Sequence, residues 1–285
     1  MQNKILAKYD EDSQVWKRQM REDRTEAWKV KPLHGQYRRQ VDQMQIKTTA
    51  FKWLREVDLK PETEALITAA QEQALNTKSH KAKILKVSSD PTCRFCSVKD
   101  ETVAHLLTAC EQLAGTQYLR RHNEVARIVH WNICKHFNIN RGKKHWLHVP
   151  EKVVENSEAK ILWDFEIRTD RVIPARRPDI VTINKSKREA KIIDIAVPED
   201  GNIRKKEREK IEKYEDLRIE MQRLWNLKKV EVVPIVVGAL GATTSSLENY
   251  LARVPGEHRV PPLLKAALLG SAYILRRSLD LPESW

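Results

Sequence analysis

The sequence predicts an α+β or α/β protein, in which helices flank a mixed β-sheet and a small helical region precedes it. One observation is the order strand, strand, strand, helix, strand within residues 150–254. Another is a group of cysteines and a histidine with metal-ligand spacing ahead of that region. The third is a formal net charge of +13, from 52 Lys+Arg against 39 Asp+Glu, which favours a polyanionic partner.

Composition excludes several classes of protein. The 285 residues are 41% hydrophobic, which is enough for a folded core. The longest apolar stretch, 232–242, contains a proline and two glycines and is too short for a bilayer, so we expect no membrane partner. The N-terminus shows no apolar segment typical of a secretory signal. Four cysteines do not make a disulfide scaffold, which favours a reducing compartment.

Four segments differ in character. They are a helical linker region at 1–90, a metal-binding region with a helical extension at 91–148, a sheet core at 149–254 and a C-terminal helix at 255–285. In the first segment, Pro61 is well placed to begin a helix, whereas the first 45 residues show weak periodicity. The last helix starts near Pro261 and stops at Pro282. We expect it to pack on the core, which is favoured over binding a partner.

The metal-binding prediction depends on one ordered pattern. Cys93, Cys96, His105 and Cys110 form C-x2-C-x8-H-x4-C. Three sulfurs and one nitrogen suit Zn²⁺ in a closed, structural tetrahedral site. Four unrelated residues are the alternative, which the ordered spacing disfavours. Cys134 fits a buried small residue better than a ligand.

Basic residues adjoin both this pattern and the sheet region. Arg120, Arg121 and His122 begin a strongly helical run after the last cysteine, and Arg176 and Arg177 precede the second strand. We expect them to contact nucleic-acid phosphates. A solvated basic face is the alternative.

Residues 149–254 are interpreted as follows: strands at 161–167, 179–183, 191–197 and 230–240, one long helix at about 203–226, and an additional helix near 153–160. Asp179 begins one strand, and Asp194 interrupts the next between Ile193 and Ile195. A carboxylate in so apolar a strand requires a partner or a cation. A hairpin of this length brings the two carboxylates together, and oxygen ligands suit Mg²⁺ or Mn²⁺.

The long helix adds a cation to this pair. Lys210 lies in the middle of the helix's apolar stripe, with Glu207 also inside the stripe and Lys213 at its border. A snorkelling lysine, or a salt bridge to Asp194 without catalysis, is the alternative. Two carboxylates and a lysine are the groups needed for metal-assisted phosphodiester hydrolysis. The accessory candidates are Glu166 on the first strand and Glu207 and Tyr214 on the helix.

These residues resemble the PD-(D/E)xK nucleases. Pro178-Asp179, fourteen residues and then Asp194 match the first part of that family's pattern. Ala196 stands where the family's usual lysine would be. Lys210 on the following helix can replace it, a migration known within the superfamily.

When the cysteine pattern is included, the resemblance points to a more specific group of proteins. Five motifs occur in one order: the cysteine pattern, Arg121-His122-Asn123, RRPD, IIDIAV and EKIEKY. The likeness covers roughly residues 30–285. This is similar to the C-terminal region of a non-LTR retrotransposon reverse transcriptase polyprotein: linker, CCHC zinc knuckle and restriction-like endonuclease. The chain would then be a fragment, a degenerate copy or a separate gene, because it lacks a polymerase.

The resemblance implies roles and partners. Asp179 and Asp194 would be catalytic ligands of Mg²⁺ or Mn²⁺, and Lys210 and Lys213 would fill the lysine positions with Tyr214 beside them. The family implies nicking of target DNA to prime reverse transcription. It also implies element RNA and the reverse transcriptase part as partners, and a nuclear location with a cytoplasmic stage during particle assembly.

Three functions remain open from the sequence. The first is a metal-dependent DNA endonuclease, and the second is a catalytically silent, zinc-containing nucleic-acid-binding module. The third is a protein-interaction scaffold with a fossil site. The presence of Asp179, Asp194 and Lys210 favours the first, and the basic excess disfavours the third.

Overall fold

The computed structural model describes residues 2–46, 49–139 and 142–282. Its centre is one five-stranded sheet in the order β1-β2-β3-β4-β5, antiparallel except for the parallel pair β4 and β5. The strands are β1 (Val153–Glu155), β2 (Ala159–Trp163), β3 (Ile180–Asn184), β4 (Glu189–Ala196) and β5 (Lys229–Val236). The mixed sheet with flanking helices confirms the predicted α+β class.

Helices surround this sheet on both faces. The N-terminal helices are α1 (Gln2–Lys29), α2 (Gln36–Gln43), α3 (Trp53–Glu56), α4 (Pro61–Gln71) and α5 (Lys78–Lys83). In the middle of the chain lie a π-helical turn (His105–Ala109), α6 (Glu111–Leu113), a second π-helical turn (Ala114–Tyr118) and α7 (Leu119–His136). The later helices are α8 (Ile203–Lys213), α9 (Glu215–Leu224), α10 (Ser246–Leu251) and α11 (Val260–Leu279). Short 3₁₀ turns span His145–Leu147 and Asp200–Asn202.

The two faces of the sheet bury different residues, as the period of two in a strand requires. Ile180, Ile193 and Ile195 belong to a large core that also takes in α7, α11 and the N-terminal segment. Ile192 and Val181 belong to a smaller core on the opposite face, together with residues of α9. Asp194 therefore points towards α8 and α9, on the same face as Ile192.

The predicted single helix at 203–226 is two helices, which is a correction. α8 ends at Lys213 and α9 begins at Glu215, and Tyr214 between them has non-helical dihedrals of φ −106° and ψ 10°. Tyr214 is fully buried in the smaller core. Because of this break, the residue that packs against the strand of Asp194 is Tyr214 at the junction of the two helices.

Three further boundaries differ from the prediction, one of which is the last strand, which ends at Val236 and not at 240. Residues 153–160 contain β1 and the turn into β2 instead of a helix, because the Asn156 side chain accepts hydrogen bonds from the backbone N–H groups of Glu158 and Ala159. The first predicted strand ends at Trp163, not at 167. Asp164 there has a φ of 44°, which turns the chain out of the sheet.

The C-terminal helix has the predicted start and end but a different neighbour. α11 packs mainly against α7, which itself contacts β4. Gly270 of α11 allows this close packing, since a Cβ there would lie 2.5 Å from Cγ of Arg121. The helix therefore packs on α7 and the segment of the cysteine cluster instead of covering the sheet directly.

The N-terminal segment is bound to the rest of the fold by buried polar contacts. The Tyr37 hydroxyl donates to Asp200 Oδ2 at 2.7 Å, and Gln71 Nε2 donates to the carbonyl of Leu240 at 2.8 Å. The predicted helix start at Pro61 is confirmed. Among the helices of the described ranges, none has the length and apolar character that a bilayer span requires.

Candidate functional site

Four side chains of the predicted metal-binding pattern converge in space. Their ligand atoms all lie within 4.8 Å of one another. The Cys93 and Cys110 sulfurs are 4.0 Å apart, and Cys96 Sγ lies 3.3 Å from His105 Nε2. Tetrahedral Zn²⁺ separates two sulfurs by about 3.8 Å, and a sulfur and a nitrogen by about 3.6 Å. The cluster could therefore hold a metal ion such as zinc.

Local backbone structure brings these donors together. Cys93 and Cys96 sit in a tight turn, in which Ser97 N–H donates to the Cys93 carbonyl. His105 and Cys110 are five residues apart, and the π-helical turn between them aligns residues at that spacing. Cys110 is extended, so the helical segment ends there as predicted. Tyr118, which the sequence did not single out, accepts a hydrogen bond from Cys110 N–H at 3.0 Å.

Cys96 and Cys110 differ in how easily their thiols lose a proton. Backbone N–H groups of Lys99 and Val98 lower the pKa of the Cys96 thiol to about 6. Burial and the neighbouring Cys93 raise the pKa of Cys110 to about 11. A bound divalent cation would offset this clustering of negative charge.

The two acidic residues lie side by side on β3 and β4. Ile180 pairs with Ile193 in the antiparallel ladder, which places Asp179 opposite Asp194. The Asp194 side chain is 2% exposed and the Asp179 side chain 22% exposed. The predicted pairing of the carboxylates across a hairpin is therefore present in the structure.

Asp194 is held by two residues of the broken helix. The Tyr214 hydroxyl donates to Asp194 Oδ1 at 2.7 Å, and Lys210 Nζ forms an ion pair with Oδ2. Burial and the charge of Asp179 raise the pKa of Asp194, against the effect of Lys210. Burial and Asp194 in turn raise the pKa of Tyr214, so its hydroxyl remains protonated as a donor.

The remaining residues predicted on this helix fall in different places. Lys213 is exposed, and its Nζ donates to the Tyr214 hydroxyl at 2.8 Å. Lys213 is therefore connected to Asp194 through the Tyr214 hydroxyl. Glu207 is buried and accepts a hydrogen bond from the Thr244 hydroxyl. Burial raises its pKa. Glu207 is thus a buried residue held by Thr244, and its accessory role stays a prediction.

Asp179 has partners of its own. His122 Nε2 lies 3.0 Å from Asp179 Oδ2, and Ile195 N–H donates to the same oxygen at 2.6 Å. Burial opposes protonation of His122, but the hydrogen bond and the charge of Asp179 outweigh it and raise the His122 pKa. The sequence suggested only that His122 contacts phosphate. No local pattern connects it to a residue 57 positions away.

Arg121 requires a correction. It is 2% exposed, and its guanidinium donates to the Ser271 hydroxyl and to the carbonyls of Leu107 and Val197. Burial lowers its pKa to about 10. Because the side chain is buried and donates to protein acceptors, it links α7 to α11 and to the chain after β4. It does not serve as a phosphate contact.

The other predicted basic residues lie at the surface. Arg120 is exposed and stacks over the Tyr273 ring at 4.3 Å. Arg177 pairs with Asp164 through two contacts of 2.6 Å. Arg176 pairs with Glu166 at 3.0 Å. Glu166 therefore lies in the loop after β2, bound to an arginine, and not on a strand beside the acidic pair.

An open cleft of about 600 Å³ brings several of these residues together. Its wall includes Thr108 from the first π-helical turn, His122 from α7, Asp179 beside β3, and Lys206 and Lys210 from α8. Asp194 lies behind Lys210 and Tyr214. The cleft therefore runs between the cysteine cluster and the acidic pair, and cationic side chains line it on the α8 side.

A scan against protein-family models and a search of curated proteins found no match to this chain.

Proposed function

We propose that this chain is a metal-dependent DNA endonuclease of the PD-(D/E)xK kind, derived from the C-terminal region of a non-LTR retrotransposon polyprotein. The observation that carries the proposal is that Asp179 and Lys210 line one cleft while Asp194 lies directly behind Lys210. A motif that is scattered over 32 positions in sequence becomes one group of contacting or adjacent side chains.

Asp179 and Asp194 would hold Mg²⁺ or Mn²⁺, because two carboxylates on neighbouring strands offer the hard oxygen donors these ions prefer. When bound, the ion would polarise the scissile phosphate and lower the pKa of the attacking water. His122 and the Ile195 N–H would hold Asp179 in position through their hydrogen bonds.

Lys210 would act on the phosphate side of the cleft. Its ammonium group would leave Asp194, orient the attacking water and screen the charge that grows on phosphorus. Tyr214 would keep Asp194 oriented during this exchange, and Lys213 would support the Tyr214 hydroxyl.

Zn²⁺ at Cys93, Cys96, His105 and Cys110 would be structural, since four protein donors leave no open position. Target DNA would be the principal partner. Element RNA and the reverse transcriptase part of the polyprotein would be further partners, and the nucleus would be the site of action.

Plasmid nicking by the purified chain tests this proposal. We expect nicking with Mg²⁺ or Mn²⁺, loss of nicking with EDTA, and none with Zn²⁺ alone. The Lys210→Met variant should lose about 100-fold or more of the rate. Lys205→Met is the matched control, because Lys205 is on the same helix and 69% exposed. Equal rates for the two variants would contradict the role of Lys210.

A second candidate is supported by a specific observation. Both carboxylates already have protein partners: Lys210 and Tyr214 at Asp194, and His122 at Asp179. This arrangement also suits a silent nucleic-acid-binding module in which the site is a structural ion-pair network. DNA binding by the wild-type chain with no nicking in either metal would favour this module over the endonuclease.

A further inference from the structure

A second group of metal-type side chains lies outside the cleft. His130 and Cys134 come from α7, and His148 comes from the segment that follows it. The three ligand atoms lie within 4.8 Å of one another. His130 and Cys134 are 0% exposed and His148 is 4% exposed. Cysteine is often buried, but histidine is only intermediate in this respect, and buried imidazoles require polar partners or a metal ion.

The fold builds this group from two directions. His130 and Cys134 are four residues apart on α7, so they share one face of the helix. The chain then returns through Gly142 and the 3₁₀ turn at His145–Leu147 to bring in His148. Gly142 permits the return, because a Cβ there would lie 2.9 Å from the His148 backbone. Trp131 Nε1 donates to the Gly142 carbonyl at 2.8 Å and fastens the same segment to α7.

One of the two ligand distances already suits a shared ion, and the other requires a small shift. Cys134 Sγ lies 3.6 Å from His130 Nδ1, which matches the separation of about 3.6 Å expected for a sulfur and a nitrogen on tetrahedral Zn²⁺. His130 Nδ1 and His148 Nε2 are 2.7 Å apart, a hydrogen-bond distance. An ion would separate these nitrogens to about 3.4 Å, a shift of about 0.7 Å.

The donor set identifies the class of ion. Two imidazoles and one thiolate suit zinc and similar thiophilic ions, whereas Mg²⁺ and Ca²⁺ prefer oxygen ligands. We propose that His130, Cys134 and His148 form a second zinc-type site, separate from the knuckle, which fastens the segment before β1 to α7. Three protein donors leave one position for water or a small anion. This site does not depend on the endonuclease proposal.

Metal stoichiometry on the full chain tests the proposal, with Zn²⁺ as the probe. After zinc loading and removal of excess, the Cys134→Ala and His148→Gln variants should each carry one equivalent fewer than wild type. Wild-type content equal to that of both variants would overturn the proposal. Comparison of circular dichroism spectra establishes that the variants are folded.

Cobalt substitution gives an independent readout of the sulfur ligand. The chain has four cysteines, Cys93, Cys96, Cys110 and Cys134, none in a disulfide. Thiolate-to-Co²⁺ charge-transfer absorption should fall by about a quarter in Cys134→Ala, because three knuckle thiolates remain. Unchanged absorption per chain would show that Cys134 is not a ligand and would overturn the site.

Discussion

Individual residues in this protein gain their properties from specific partners elsewhere in the chain. Asp194 is the clearest case, since a buried carboxylate in an apolar strand is satisfied by Tyr214 and Lys210. Glu101 is a second: its side chain is 0% exposed and pairs with Arg94 beside the cysteine cluster. In both cases, a charge that would be costly alone is stabilised by specific hydrogen bonds.

Replacing Tyr214 with Phe should destabilise the fold. The change removes the hydroxyl that donates to Asp194 and leaves that oxygen without its donor, which costs about 1–3 kcal/mol of unfolding free energy. Urea denaturation measures the difference. Tyr273→Phe is the control, because the Tyr273 ring is only partly buried. A Tyr214→Phe variant as stable as this control would show that the bond contributes nothing.

The Glu101→Gln variant should show a pH-dependent loss of stability. Burial opposes ionisation of Glu101, but hydrogen bonds from Arg94 and from backbone N–H groups outweigh it and lower the Glu101 pKa below 4.5. A carboxylate with a lowered pKa stabilises the fold above its unfolded pKa, and this contribution is lost as pH falls through the folded pKa.

We therefore expect Glu101→Gln to lose about 1–3 kcal/mol at neutral pH and to approach wild type below pH 4.5. Denaturation at a series of pH values checks this, with the exposed Glu62→Gln as control. A difference from wild type that is independent of pH would contradict the role of the charge.

Secondary-structure elements were predicted best where local periodicity decided them. Pro61 marks the start of α4, and α11 follows its apolar stripe to Leu279. The break at Tyr214 was missed, because the apolar stripe continues through it and only the contact with Asp194 explains the turn. The strand at Val153–Glu155 was missed because it is three residues long.

The packing of α7 against α11 gives a prediction with an unusual sign. Alanine in place of glycine normally stabilises a helix by about 1 kcal/mol. At Gly270, however, the new methyl group would lie 2.5 Å from Cγ of the buried Arg121. Gly270→Ala should therefore lower stability by about 1–3 kcal/mol through overpacking.

Gly115→Ala is the matched control, because a Cβ at Gly115 meets no atom within 4 Å. Thermal denaturation compares the two variants. A Gly270→Ala variant at least as stable as Gly115→Ala would mean that α7 and α11 do not pack this closely.

At the scale of the whole molecule, one large core joins the N-terminal helices, α7, α11 and one face of the sheet. Composition alone predicts four segments. It cannot show that these segments share one core, because the contacts between them are long-range. The candidate site was predicted in part. Asp179, Asp194 and Lys210 were identified by residue type and spacing, whereas the His122 contact and the burial of Arg121 required the fold.

The net charge of +13 leads to a prediction for the whole chain. DNA binding should weaken steeply with salt, because bound lysines and arginines release counterions from the phosphates. About three such contacts would reduce affinity roughly 40-fold between 50 and 200 mM salt. Fluorescence anisotropy with labelled duplex measures the slope, and a flat response would argue against phosphate binding.

The nicking rate of Asp194→Asn tests the central claim most directly. The substitution removes a charge but keeps the shape of the side chain, and Asp216→Asn on the exposed face of α9 is the matched control. With Mg²⁺ or Mn²⁺, we expect Asp194→Asn to lose nicking while it retains DNA binding, and Asp216→Asn to nick at the wild-type rate. Nicking by Asp194→Asn at the wild-type rate would contradict an active site built on the Asp179 and Asp194 pair.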